Sequence, residues 1–320
     1  MSSVEERSPR FPPLLVLCFG LLAISFSAIF IRWAQDEDVP SLVIAAWRTL
    51  MASLILWPFA LARRREELGQ LGRREWRLAF LSGVMLAIHF GSWISSLAFT
   101  SVASSTVLVT TSPLWVGLLA PVFLGERLSR PLKVGIGLAV VGSVIISVGD
   151  LVVMENGRFF FDFSMFSGGS QTLLGNGLAL IGALTAAVYF MVGRSLRPQL
   201  SLLSYTAVVY GTAALCLVIT TFLAGYNLFG YTPRAYLLFL LMALFPQLMG
   251  HTSYNWALGY LPAAYVSITI LAEPIGASLL ALLFFREIPG IPVLAGSLFI
   301  FWGVVRASQP ERILETEPIG

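Results

Sequence analysis

Charge is what this 320-residue chain has least of. Charged residues make up 12% and hydrophobic residues 57%, whereas a soluble domain carries roughly 25% charge. So few charges cannot cover a water-facing surface, and the chain reads as an integral membrane protein. Its net charge of +3 is not a nucleic-acid signature, because the arginines fall in short segments between apolar stretches; no nucleic-acid partner is expected. Two cysteines, Cys18 and Cys216, both inside apolar stretches, give no disulfide framework. Two histidines, His89 and His251, lack metal-ligand spacing. No His-Glu-x-x-His or G-x-x-x-x-G-K-[ST] segment is present. Metal, cofactor and ATP-driven pumping are therefore not expected. The first apolar stretch is long enough to span and has no small-residue cleavage site, which argues against a cleavable signal.

What is present is a series of apolar runs of about twenty residues, the length that crosses a bilayer as a helix. Ten are read, at about 13–33, 40–62, 78–99, 102–124, 132–150, 173–193, 202–223, 235–257, 263–285 and 291–309. Placing the N-terminus in the cytoplasm and alternating puts fifteen of the twenty basic residues on the cytoplasmic side. Arg32, Arg158, Arg234 and Arg286 fall on the far side, and Arg48 lies within a span. That bias sets the orientation, with both termini cytoplasmic. The basic linker at 63–77 is explained by attraction to anionic lipid headgroups.

The chain also repeats itself. A shift of 161 positions lays 97–142 on 258–303 without a gap, matching Pro113 to Pro274, Phe123 to Phe284, Glu126 to Glu287, Pro131 to Pro292, Gly135 to Gly296 and Gly142 to Gly303. Five spans per copy is an odd number, so the copies enter the membrane with opposite orientation, an architecture of secondary transporters. The expected fold is all-α, with ten transmembrane helices as two inverted-topology five-helix repeats. The divisions are a tail at 1–12, a first repeat at 13–150, an extracytoplasmic loop at 151–172, a second repeat at 173–309 and a tail at 310–320. The loop is read as a flap or amphipathic segment, and the links at 100–102 and 260–262 as hinges.

The residues Ala46-Trp47-Arg48-Thr49, Leu124-Gly125-Glu126-Arg127, Tyr260-Leu261-Pro262-Ala263-Ala264-Tyr265, Glu273-Pro274, Glu287, Gly296 and Gly303 resemble the drug/metabolite transporter superfamily, specifically its EamA-type ten-helix carriers. The resemblance covers about 13–309. It implies a carrier of amino acids, nucleotide-related metabolites, vitamins or sugars, often an exporter, in a bacterial inner membrane. Phe285-Arg286-Glu287 departs from the Gly-Glu pair that closes the corresponding span of the first copy.

Glu273 is the leading site candidate. A carboxylate at bilayer depth costs at least ~2.5 kcal/mol and therefore faces a partner or a water-filled cavity. Pro274 beside it kinks the helix, and helical spacing puts Tyr265, Thr269, Glu273 and Gly276 on one face. Glu273 reads as a contact for a substrate amine, a coupling site for protons or a structural partner of Arg48. Arg48 in turn could clamp a substrate carboxylate. His89, with Trp93 one turn on, sits in a polar neighbourhood suited to cavity lining or proton relay. Gln247 and Tyr254 belong to a polar run at membrane depth, in which His251 reads as a helix contact. Ser112 and Trp115 share a face of the fourth span, Ser112 being the counterpart of Glu273. Gly135, Gly142, Gly296 and Gly303 read as close packing between the fifth and tenth spans.

These residues favour a secondary carrier for a small polar or zwitterionic metabolite, such as an amino acid, working by alternating access with protons as the candidate coupling ion. The alternative is a uniporter or exchanger for a nucleotide-, vitamin- or sugar-type compound. A channel fits a duplicated chain around one midplane charge less well, and an intramembrane enzyme lacks its paired catalytic groups. Membrane lipid and a small-molecule substrate are the expected partners, and a monomer is favoured over a dimer.

Overall fold

In the computed structural model the described residues are 9, 11–99, 105, 108–125, 128–149, 152–155, 158–161, 170–286, 291–307 and 309. The link at 100–102, Glu126, Arg127, Glu287 and Pro289 lie outside them. Helices dominate: α1 (Pro13–Gln35), α2 (Ser41–Gln70), α3 (Arg73–Ser96), α4 (Ser112–Phe123), α5 (Arg130–Gly149), α6 (Ser170–Leu196), α7 (Leu202–Leu223), α8 (Pro233–Ala257), α9 (Ala263–Ile270), α10 (Glu273–Phe285) and α11 (Ile291–Ala307). Seven runs among the described residues are long and apolar enough to cross a membrane, α9 and α10 together forming one of them. The chain is a multi-pass membrane protein.

Local chemistry sets the helix ends. Pro12, Pro40 and Pro262 stand at the N-caps of α1, α2 and α9, where a missing N–H costs nothing. Ser201 accepts from the Ser204 N–H at 3.2 Å to open α7, and Thr232 accepts from Ala235 at 3.1 Å to open α8. One feature departs from the expected all-helical chain. Residues of the loop after α5 form an antiparallel hairpin, β1 (Val152–Glu155) on β2 (Arg158–Phe161), with Val152 opposite Phe161. Val152, Val153, Phe159, Phe160 and Phe161 are residue types that favour extended backbone over helix. A second difference is α2, which runs eight residues past the expected end at 62 and bends at Arg64 (φ −136°, ψ 19°).

Two helices break at equivalent places. The chain turns at Thr110–Thr111 before α4 and at Leu271–Ala272 between α9 and α10, positions related by the 161-residue shift. In both, a proline follows in the first turn of the next helix, Pro113 and Pro274. The kink anticipated from Pro274 is thus a full interruption. The ends of the two copies also match. Gly125 closes α4 at φ +66°, and Arg286, its counterpart, adopts φ +57°, so the arginine takes a left-handed conformation that glycine adopts without steric cost.

The fifth and last helices cross at their glycines. A Cβ on Gly142 would fall 2.4 Å from the Gly296 carbonyl oxygen, and one on Gly135 would fall 2.6 Å from that of Gly303. Backbone therefore touches backbone, the packing expected of these four residues.

Gly142→Val forces the α5–α11 crossing apart and should lower stability by about 1–3 kcal/mol, read as an earlier melting transition in detergent. Gly137→Ala, with nothing within 4 Å, should not lower the melting temperature and should raise it slightly, because alanine is the better helix former. Arg286→Gly should raise stability by about 1 kcal/mol by removing the left-handed penalty. A lowered Tm in that variant would show that the Arg286 side chain contributes more than its backbone costs.

Candidate functional site

The two helix breaks open onto one cavity. It encloses about 510 Å3 of space not filled by atoms, its mouth included. Ser112, at the start of α4, and Glu273, at the start of α10, both line it, so the pair related by the duplication meets across one space. Val109, Thr110 and Ile270 complete the wall at the breaks. From α3 come His89 and Trp93, whose rings stack 15° from parallel with centroids 6.0 Å apart. Helix α6 supplies Ala186, Tyr189 and Phe190, and α1 supplies Ile24 and Ser27.

Glu273 is 9% exposed. It stands in the first turn of α10, where the positive end of the helix dipole favours a carboxylate. Three residues on, Gly276 lets α1 approach so closely that an added Cβ would sit 2.0 Å from Ser25 Oγ. The small residue in this face therefore receives a neighbouring helix. His89 is held by its ring Nδ1 against the Gly182 carbonyl at 2.9 Å. A carbonyl only accepts, so Nδ1 carries the hydrogen and Nε2 of the neutral ring is the acceptor.

Arg48 lies behind the cavity wall rather than on it. It is 0% exposed. Its Nη1 donates to Ser27 Oγ at 3.2 Å and its Nη2 to Gln247 Oε1 at 3.0 Å, and its Cζ rests 4.1 Å above the centre of the Phe90 ring. A flat guanidinium can stack and fork at once, which an ammonium cannot. The acceptor comes from a π-helical segment of α8, Ala243–His251. Pro246 within it has no N–H to give. The wider π winding turns Gln247 toward Arg48, while His251, four residues on, reaches the cavity. There His251 packs edge-on to Phe90 at 5.0 Å and lies 6.4 Å from His89. Beyond Gln247 the polar chain continues. Tyr210 Oη meets Thr252 Oγ1 at 3.2 Å and accepts from Asn255 Nδ2 at 3.1 Å, and Asn255 Oδ1 accepts from Tyr189 Oη at 2.7 Å.

Of the residues singled out in the sequence, Glu273, His89, Trp93 and Ser112 are brought together in the cavity wall. Arg48 and Gln247 are joined to each other one layer further out. Tyr254 is fully buried and packs near Phe190. Thr269 is buried and donates to the Val266 carbonyl at 2.7 Å. Trp115 and Tyr265 are half-buried against the core and do not line the cavity. His251, read from sequence as a helix contact, lines it as well as touching Phe90. Of the contributions of α1 and α6, Ile24, Ala186 and Phe190 carry no sequence signal beyond being apolar, whereas Ser27 and Tyr189 were marked only by a hydroxyl within an apolar span. Among the described residues no three His, Cys, Asp or Glu side chains cluster as metal ligands.

Three likenesses to known proteins follow this geometry. The model of the EamA-like transporter family matches residues 12–148 and again residues 173–308. A WAT1-related protein from Arabidopsis thaliana is 30% identical over 145 residues, a stretch that spans 44% of this chain and 39% of that protein. A protein known from a crystal structure superposes with a TM-score of 0.71 over 95% of this chain and 99% of its own, at 19% identity, a likeness of fold alone.

Gln247→Leu should cost about 1.5–3 kcal/mol, the range for a hydrogen bond to a charged group, because it strips Arg48 of a buried acceptor. Gln247→Glu, which restores an acceptor and adds an opposite charge, should melt close to the wild type. Equal melting of the leucine variant and wild type would mean that Arg48 finds another partner.

Proposed function

We propose that this chain, which belongs to the EamA-like transporter family, is a secondary carrier that moves a small polar metabolite across the membrane by alternating access. Its activity is transport rather than catalysis of a reaction. The repeats at 13–150 and 173–309 are inverted copies of five helices each, which rock against one another about the cavity. Both tails, 1–12 and 310–320, are cytoplasmic, the membrane is a bacterial inner membrane, and one chain is the working unit.

The observation that carries this reading is the meeting of Ser112 and Glu273 in one cavity at two matching helix breaks. Interrupted helices at membrane depth are tolerated where they are buried in protein or line a water-filled space, and carriers bind substrate there. Glu273 is the charged contact of the site, meeting a substrate amine or a coupling proton. Ser27 and Tyr189, which line the cavity and end the buried polar chain through Arg48 and Asn255, hold the wall in register. The residues 260–262, a turn ahead of α9, act as a hinge.

In proteoliposomes, labelled amino acids, nucleosides, vitamins and sugars should be screened for uptake that saturates and is accelerated by unlabelled substrate on the opposite side. A channel shows no such exchange. For the compound that passes, Glu273→Gln should cut exchange by at least about tenfold, equivalent to ~1.4 kcal/mol. Exchange undiminished in that variant would remove Glu273 from the transport cycle.

A further inference from the structure

We propose that the substrate is a protonated amine with a flat apolar body and no carboxylate; this rests on the carrier reading above and narrows it. The argument is one of charge and of hydrogen-bonding sense. Among the described residues, Glu273 is the charged side chain lining the cavity, and no arginine or lysine joins it. Arg48, the cation nearest in the sequence reading, has both terminal nitrogens engaged by Ser27 and Gln247 and its face covered by Phe90. It touches the cavity wall through the Ser27 hydroxyl.

Of the remaining polar groups, His89 runs the same way, whereas Trp93 Nε1 is a buried donor without a hydrogen-bond partner among the described residues. His89 gives its Nδ1 hydrogen to Gly182 and offers the lone pair of Nε2. His251, 8% exposed, has a buried Nδ1 without a hydrogen-bond partner among the described residues, which by itself sets no direction. A ligand that donates is complementary to an acceptor and a carboxylate; one that only accepts is not.

The start of α4 is the place where a substrate carboxylate would be expected, because helix N-termini attract anions. Here it is poorly equipped. Pro113 has no N–H. The Leu114 N–H is taken by the Thr111 carbonyl at 2.9 Å, and the Thr111 N–H by that of Leu108 at 3.2 Å. A carboxylate placed there would share the cavity with Glu273 and meet no arginine or lysine on the cavity wall. A cation, by contrast, finds the Glu273 carboxylate in a wall that also holds the aromatic rings of Trp93 and Tyr189.

Three probes of one body decide it: phenethylamine, phenylalanine and 3-phenylpropionate share a ring and chain and differ in charged ends. Binding to the purified full chain is followed by calorimetry. Phenethylamine should bind at least about tenfold tighter than phenylalanine, and 3-phenylpropionate should give no measurable binding. Glu273→Gln should abolish the preference and Glu273→Asp, which keeps the charge, should retain it. The wild type and the aspartate variant suffice if the glutamine variant does not fold. Phenylalanine binding as tightly as the amine, binding of the acid, binding of none of the three, or an unchanged preference in Glu273→Gln each overturns the proposal. Exchange across vesicles separates it from the carrier reading. Amine that binds selectively without crossing sinks the carrier and leaves the amine site standing. Phenylalanine that exchanges while phenethylamine does not sinks the amine and leaves the carrier.

Discussion

A helix can stop inside a bilayer only where protein or water relieves lipid of the exposed backbone, since an unsatisfied peptide group in hydrocarbon costs several kcal/mol. The chain meets that requirement twice with one device. At the first break Thr111 N–H bonds to Leu108 and Leu114 N–H to Thr111; at the second Leu271 bonds to Ile268, Ala272 to Thr269 and Ile275 to Ala272. These tight three-residue closures use donors that an α-helix would have sent one residue further, and the proline in each following turn has none to satisfy. Neighbouring helices must then seal the remainder. The close seating of α1 at Gly276 and of α9 beside α4 and α6 follows from that need, and the space left unfilled between them is the cavity.

Around this space the wall is braced by one buried cation. Arg48 ties α2 to α1 through Ser27, to α8 through Gln247 and to α3 through Phe90. The hydroxyl and amide chain from Gln247 through Tyr210 and Asn255 to Tyr189 extends the brace to α7 and α6. Six helices thus meet along one seam whose two ends, Ser27 and Tyr189, surface in the same cavity. Within hydrocarbon, where apolar side chains gain little by meeting one another rather than lipid, such directional bonds and close small-residue contacts specify which helix goes beside which.

Much of this was legible in the residues. Spans of the right length, Glu273 beside Pro274, its counterpart Ser112 and the four glycines of α5 and α11 all announced themselves by composition and register. Periodicity assigns a face to each helix but not the helix that the face will meet, so the role of Arg48 was open between a substrate clamp and a structural tie. The π winding around Pro246 was invisible for a related reason. With α-helical spacing Gln247 and His251 share a face, and only the local rewinding lets one brace Arg48 and the other reach the cavity. The break at Leu271–Ala272 likewise re-phases α9 against α10, so Ile270 lines the cavity while Tyr265 and Thr269, grouped with Glu273 on an unbroken helix, do not. The hairpin was legible but not read: Asn-Gly at 156–157, between Val152–Glu155 and Arg158–Phe161, is a strong sequence signal for a two-residue hairpin turn.

The crossing of α5 and α11 has a further meaning. Gly135 answers Gly303 and Gly142 answers Gly296, and the 161-residue shift exchanges these two contacts with each other. It is an isologous interface, the kind that identical subunits make about a two-fold axis, enclosed within a single polypeptide. Between identical subunits every substitution would appear twice and neither side could differ from the other. With both sides written separately in one chain, each can change alone. Serine facing glutamate across the cavity is an asymmetry that a pair of identical chains could not encode.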